Sequence, residues 1–149
     1  RFSCVHDAAL SIWNTDYYRL TLEITESVLM ENFEGAQKLL NGFREKGVKI
    51  SIDDFGTGYS SLGYLTMLPF DILKLDLSLT AQLEPGSPAL AVVDSLTRMS
   101  HEMGFKIVAA GIETEKQQTL LTDAGVQLGQ GYYISRPVPL GELIDLLEA

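Results

Sequence analysis

The chain has 149 residues, of which 46% are hydrophobic and 21% are charged, and its formal net charge is −9. This composition excludes a wholly disordered chain, and the negative charge argues against general nucleic-acid binding because it repels a phosphate backbone. No apolar run reaches the roughly 20 residues of a membrane helix. The single cysteine, Cys4, excludes an intrachain disulfide and suits a reducing compartment, so we expect a cytoplasmic protein.

Short β-type runs alternate with amphipathic helical patterns along the chain. Helical spacing of apolar residues begins at 5–13 and is followed by a first predicted strand at 19–25. The remaining strands are predicted at 48–53, 70–76, 105–111 and about 129–134. Between and after them, the pattern predicts helices at 36–43, 92–103, 114–124 and 140–147, with a short helical turn ending near Met67.

The alternation of strands and helices predicts an α/β fold with a parallel sheet. A doubly wound sheet and a TIM (β/α)8-type barrel both fit this pattern, but a complete barrel needs about 250 residues. We therefore expect one domain over residues 1–149 that forms about five strands of a partial barrel. The open edge at 19–25 should self-associate, or be covered by other residues of the protein, such as the helix at 5–13.

Charged and polar residues gather at the predicted carboxyl ends of the strands, where α/β proteins hold their functional sites. They are Glu23, Glu26, Asp53, Asp54, Lys74, Asp76, Glu113 and Gln130. Clustered carboxylates favour a hard cation such as Mg²⁺, Mn²⁺ or Ca²⁺, and such cations bind phosphate esters. Strand ends also collect charge because they meet solvent. The acid pair followed by a glycine-containing loop nevertheless favours a functional site.

Two further features of this set narrow its chemistry. Lys74 lies in an otherwise apolar strand, so its ammonium must be paired or must contact a phosphate or a water molecule. Asp54-Phe55-Gly56 spells the magnesium-binding triplet of protein kinases. No His-Arg-Asp motif precedes it and no Ala-Pro-Glu follows it, so the kinase interpretation fails.

Five motifs, in order, resemble those of EAL domains, the bacterial cyclic di-GMP phosphodiesterases. They are Glu23-Ile-Thr-Glu26-Ser27, the loop 53–62, Lys74-Leu-Asp76, Ala109-Ala-Gly-Ile-Glu113-Thr114 and Gln130-Gly-Tyr-Tyr-Ile-Ser-Arg136-Pro137. The resemblance implies a variant TIM barrel that cuts one phosphodiester bond of cyclic di-GMP with Mg²⁺ or Mn²⁺ and yields linear pGpG. It also implies Ca²⁺ as an inhibitory occupant, and either a homodimer or attached sensory or cyclase domains.

The same resemblance implies roles in metal binding and catalysis. The expected metal ligands are Glu23, Asp53 and Asp54, with Asp53 as the bridging ligand between two metals. The expected catalytic residues are Lys74, which would orient the attacking water or a phosphate oxygen, and Glu113, which would support the site.

Substrate binding and loop support are implied for four more residues. Gln130 and Arg136 are expected to lie at the substrate, with Arg136 near a guanine. Glu26 is expected to brace the loop 53–62, which in the family couples metal binding to dimerisation, and Asp76 is expected to support the loops of the site.

Two departures from the family pattern bear on activity. The namesake Glu-Ala-Leu and the asparagine-bearing strand after it are absent from the sequence, so we expect the chain to begin just after the family's first three strands. The family's Ala-Glu-Gly-Val-Glu-Thr reads here Ala109-Ala110-Gly111-Ile112-Glu113-Thr114, and Ala110 replaces a glutamate that binds the second metal.

Loss of these groups predicts a truncated EAL-type phosphodiesterase with impaired catalysis. The alternative is a non-catalytic module that binds cyclic di-GMP or a protein partner. An unrelated flavodoxin-like phosphate-binding domain would require all five motifs to be coincidental.

Overall fold

Five strands form one parallel sheet and lie side by side in the order in which they occur along the chain. The computed structural model describes residues 20–56 and 62–148, except the side chains at 62, 147 and 148. The strands are β1 (Thr21–Thr25), β2 (Lys49–Phe55), β3 (Ile72–Leu75), β4 (Lys106–Ala110) and β5 (Leu128–Gln130). A doubly wound sheet reverses its strand order at a switch point. The unbroken order therefore confirms the α/β prediction and favours the partial barrel.

Helices connect the strands, as parallel pairing requires. They are α1 (Glu26–Glu31), α2 (Phe33–Glu45), α3 (Leu77–Thr80), α4 (Pro88–Met103), α5 (Glu115–Asp123) and α6 (Leu140–Glu148), with a 3₁₀ helix at Leu62–Met67. The Ser87 hydroxyl accepts a hydrogen bond from the Leu90 N–H and begins α4, whose first residue is Pro88. Gly104 ends this helix with a φ of 79°.

The boundaries differ from the sequence predictions at three places. Helices α1 and α3 are not predicted, because six and four residues are too short to show a helical period. Strand β2 continues to Phe55, and β5 ends at Gln130 because the chain turns there. The predicted helix at 5–13, its proposed cover of β1, and Cys4 lie outside the described residues, as does 57–61 of the loop.

Side chains alternate across the sheet, and this alternation separates the core from the site. Ile50, Ile52, Leu73 and Ile107 are fully buried in the hydrophobic core that the helices cover. The alternate positions of the same strands carry Glu23, Asp53, Lys74 and Ala110. The parallel register sets Glu23 beside Ser51 and Lys74 beside Val108. The polar residues therefore share the face of the sheet opposite to the core.

Within residues 20–56 and 62–148, no helix combines the length and the hydropathy needed to span a bilayer.

Candidate functional site

A cleft of about 810 Å³ opens at the carboxyl ends of the strands. Seven of the nine predicted site residues line it: Asp53, Asp54, Lys74, Asp76, Glu113, Gln130 and Arg136. Ala110 lines it as well. Of the two remaining predicted residues, Glu23 accepts a hydrogen bond from Lys74 of this group, and Glu26 accepts one from the Gly56 N–H, which is outside it. A cleft of this size is in the range of cavities that bind small organic ligands.

Lys74 joins three neighbouring strands. Its Nζ donates hydrogen bonds to Glu23 Oε2 of β1 and to Asp53 Oδ2 of β2, both at 3.0 Å. The Lys74 side chain is 14% exposed, whereas Glu23 and Asp53 are 51% and 25% exposed. Burial alone would lower the pKa of Lys74, but the hydrogen bonds and charges of Asp53 and Glu23 outweigh it and hold this pKa above its ordinary value. Lys74 therefore stays charged and pairs with both carboxylates, which leaves the three-residue cluster with one net negative charge.

The backbone leaves regular strand geometry at the acid pair. Asp54 has a φ of 55°, in the left-handed region that a residue other than glycine adopts only at a cost, and the pairing of β2 with β3 shifts register between Ile52 and Phe55. The Asp54 N–H donates to Asp53 Oδ1 at 2.9 Å, which stabilises this conformation. Consecutive side chains of a regular strand point to opposite faces, so the irregularity is consistent with both Asp53 and Asp54 lining the same cleft.

Glu26 lies behind the cleft rather than in its lining. It is 4% exposed, and its Oε2 accepts a hydrogen bond from the Gly56 N–H at 3.3 Å. This contact ties the start of α1 to the end of β2, where the loop 57–61 begins. It is the kind of contact that the predicted loop-bracing role requires.

Asp76 begins α3 in addition to lining the cleft. Its Oδ1 accepts a hydrogen bond from the Ser78 N–H at 2.9 Å. The hydrogen bond to Ser78 holds the pKa of the Asp76 carboxyl below its ordinary value, against the smaller opposing effect of burial. Helix capping accounts for this residue's position.

The segment after β4 carries Glu113 and is held to the end of β5. The Ile112 N–H donates to the Gln130 carbonyl at 3.1 Å, and Ala110 pairs with Gln130 in the sheet. Gln117 Oε1 accepts hydrogen bonds from the N–H groups of Glu113 and Thr114. Gln117 lines the cleft but is absent from the sequence predictions. The spacing Thr114-x-x-Gln117, a capping box, is the sequence signal for it.

The far wall of the cleft carries an aromatic residue that the sequence analysis does not assign. The Arg136 guanidinium lies 4.5 Å from the centre of the Tyr132 ring, and both residues line the cleft. At this distance the charged guanidinium and the face of the ring attract each other in a cation–π contact. No local sequence pattern identifies this pair.

The carboxylates of the cleft are oxygen donors that suit a hard cation. Within the described part of the chain, however, no group of three or more Asp, Glu, His or Cys residues is arranged to hold a metal ion. Glu23 and Asp53 converge on the Lys74 ammonium instead. A cation at these carboxylates would therefore have to compete with Lys74, and the metal-ligand roles of Glu23, Asp53 and Asp54 stay predictions.

The EAL domain family model matches residues 9–137, most of the chain. This chain belongs to the EAL domain family. The match includes β1 to β5, so the partial barrel described above is part of an EAL domain.

The chain is similar in sequence to a cyclic di-GMP phosphodiesterase and in structure to a solved c-di-GMP complex. Cyclic di-GMP phosphodiesterase NbdA of Pseudomonas aeruginosa is 43% identical over 130 residues, which are 87% of this chain and 17% of NbdA. The solved c-di-GMP complex of the PaMucR phosphodiesterase is 40% identical, with a TM-score of 0.86 over 92% of this chain and 61% of that one.

Metal-bound structures occur among the relatives as well. Klebsiella pneumoniae BlrP1, solved with cy-diGMP and either manganese or calcium, is 32% identical, with a TM-score of 0.84 over 91% of this chain and 34% of that one. EAL structures therefore bind divalent metals. The EAL chain spans less than two thirds of each of these relatives.

Proposed function

We propose that this EAL chain binds cyclic di-GMP in the cleft and hydrolyses it about a thousandfold more slowly than an EAL domain with a complete set of acidic groups. Binding is supported by the cleft, which holds seven of the predicted site residues, and by the c-di-GMP complex of PaMucR, which is 40% identical. Slow hydrolysis is supported by one residue, Ala110.

Ala110 is the observation that carries the proposal. It ends β4, pairs with Gln130 across the sheet and lines the cleft. The family pattern has a glutamate at this position. A methyl group does not bind a cation, and the loss of metal-based charge stabilisation of several kcal/mol corresponds to a rate loss on the order of a thousandfold, at about 1.36 kcal/mol per decade. Alanine at position 110 is therefore expected to slow hydrolysis without reducing the space in which the ligand binds.

The cleft carries more acidic than basic residues, which favours binding of a cation together with the ligand. Four acidic residues line it, Asp53, Asp54, Asp76 and Glu113, against the two basic residues Lys74 and Arg136. Lys74 is already paired with two carboxylates. A dinucleotide with two phosphates therefore needs added positive charge, which Mg²⁺ or Mn²⁺ held by Glu23, Asp53 and Asp54 would supply.

The experiment compares binding and hydrolysis of cyclic di-GMP in the same full-length protein, with Mg²⁺ or Mn²⁺ present. We expect measurable binding by calorimetry and very slow formation of pGpG. In the 149-residue chain alone, Ala110→Glu should not restore hydrolysis, because the metal ligands of the family's first three strands are absent from the sequence. In a protein that also supplies those strands, the same variant should raise the hydrolysis rate at least tenfold, which is about 1.4 kcal/mol of transition-state stabilisation. Ala81→Glu is the matched control, because Ala81 also lines the cleft but lies outside β4.

Three results would contradict the proposal. Wild-type turnover at the rate of an intact EAL phosphodiesterase would show that Ala110 does not limit catalysis. Equal gains from the variants at Ala110 and Ala81 would show that added charge, rather than position, matters. Absence of cyclic di-GMP binding would remove the ligand from the proposal.

A further inference from the structure

The side-chain amide of Gln117 connects two walls of the cleft. Its Oε1 accepts hydrogen bonds from the backbone N–H groups of Glu113 (2.9 Å) and Thr114 (3.0 Å). Its Nε2 donates to the Thr80 carbonyl at the end of α3 (3.3 Å). Gln117 lines the cleft itself. One side chain thus joins the segment after β4 to the helix that follows β3.

The two joined segments also pack directly against each other. A Cβ atom on Gly111 would lie 2.6 Å from the Cβ of Leu77, and Gly111 has a φ of 76°. Only glycine allows α3 to lie this close to the end of β4. The Leu77 contact holds one end of the α3–β4 junction, and the Gln117 amide holds the other. Asp76 and Glu113, which both line the cleft, are therefore carried by segments that are joined to each other.

We propose that Gln117 is a positioning residue that fixes the backbone of Glu113 and so directs the Glu113 carboxylate toward the ligand in the cleft. The inference rests on the proposed function, because it takes cyclic di-GMP as that ligand. An amide suits the role: the N–H groups before α5 require an acceptor, and its own N–H reaches the Thr80 carbonyl. A carboxylate would keep the first contact, lose the second and add charge to an acidic cleft.

Amide hydrogen exchange in the full-length protein tests the contact without any ligand. Gln117→Met removes every hydrogen bond of the side chain at similar length, and we expect exchange at Glu113 and Thr114 to accelerate about tenfold. Gln117→Glu keeps the acceptor oxygen and should retain protection at both amides. Gln118→Met is the matched control, because Gln118 is the next residue of α5 and is exposed.

Cyclic di-GMP affinity, measured well below the melting temperature, tests whether the contact acts on the site. We expect Gln117→Met to raise Kd about five- to tenfold, and Gln118→Met to leave it unchanged. A double-mutant cycle with Glu113→Ala identifies the route. If Gln117 acts through Glu113, Gln117→Met has no further effect on Kd once the Glu113 carboxylate is gone.

Each contrary outcome overturns a different step. Unchanged exchange in Gln117→Met would show that the side chain does not hold these amides. Faster exchange with unchanged Kd would reduce Gln117 to a helix cap. An equal loss of affinity in the Glu113→Ala background would show that Gln117 acts by another route. If the wild type binds no cyclic di-GMP, the proposed function and this inference both fail, and protected amides at Glu113 and Thr114 would show that the fold is intact.

Discussion

The contact between Gly131 and Ile112 holds the end of β5 against the segment after β4, and Gly131→Ala would break it. A Cβ atom at this position would lie 2.1 Å from the Ile112 carbonyl oxygen and 2.3 Å from its nitrogen. Both are backbone atoms, so no side-chain rotation relieves the clash. Gly131 is not among the described glycines with positive φ, so the cost is steric.

The loss of stability in Gly131→Ala can be worked out from the backbone hydrogen bonds that must break. The Ile112 N–H donates to the Gln130 carbonyl at 3.1 Å, and the Tyr133 N–H donates to the Ile112 carbonyl at 3.0 Å. Moving Ile112 away by about an ångström breaks both, at roughly 1 kcal/mol each, with a further penalty where the freed groups stay buried. We expect Gly131→Ala to lower the free energy of unfolding by about 2–4 kcal/mol. Gln130 and Tyr132 should also lose their places in the cleft wall.

Denaturant unfolding followed by circular dichroism measures this change. Gly42→Ala is the control, because Gly42 lies within α2 and a Cβ atom there meets nothing within 4 Å. Alanine at this helical position should raise stability by about 0.5–1 kcal/mol. A Gly131→Ala protein within about 0.5 kcal/mol of wild type would refute the close approach of these backbones, since surface changes fall in that range.

Three more substitutions test the charges around the cleft. Lys74→Met should lower the free energy of unfolding by about 1–3 kcal/mol, because it leaves Glu23 and Asp53 without their shared ammonium group. Folding raises the pKa of Lys74, so the contribution of Lys74 to stability is complete below pH 10.5 and declines as the pH rises through the folded-state pKa. Denaturant unfolding of wild type and variant between pH 7 and 11 measures this decline. Asp76→Ala should lower the free energy of unfolding by about 1 kcal/mol through the lost helix cap, while Asp76→Asn should change it little. Because folding lowers the pKa of Asp76, the difference in unfolding free energy between wild type and Asp76→Ala should shrink as the pH falls below 3.8. A difference that widens in this acid range would contradict the capping role. Glu26→Ala should cost about 1–3 kcal/mol by leaving the Gly56 N–H without its acceptor, and thermal melts that match wild type would show that Glu26 does not support the loop.

Sequence patterns predicted the parts of the fold that local rules determine. Alternating apolar residues located β1 to β4, and the parallel arrangement follows from the helices between them. Because the carboxyl ends of parallel strands meet at one edge, Asp53 and Lys74 could be expected to lie close together. Their hydrogen bond at 3.0 Å agrees with that reasoning.

The parts that the sequence did not predict depend on contacts between distant segments. Helix α3 has four residues and forms because Asp76 caps it and Leu77 packs on Gly111, neither of which appears as a period. Gln117 reaches Thr80 across 37 positions of sequence. The contact of Arg136 with Tyr132 is local, but it depends on the turn after β5, which no periodic pattern predicts.

The unbroken strand order has a consequence for how the domain assembles during synthesis. Each strand pairs with the one made just before it, so the sheet can grow from β1 toward β5 as the chain emerges from the ribosome. The Lys74 cluster needs only the first three strands and closes contacts spanning 51 and 21 positions. The wall made by Gln130, Tyr132 and Arg136 must wait for β5. The Lys74 cluster can therefore form before the wall that carries Gln130, Tyr132 and Arg136 has been made.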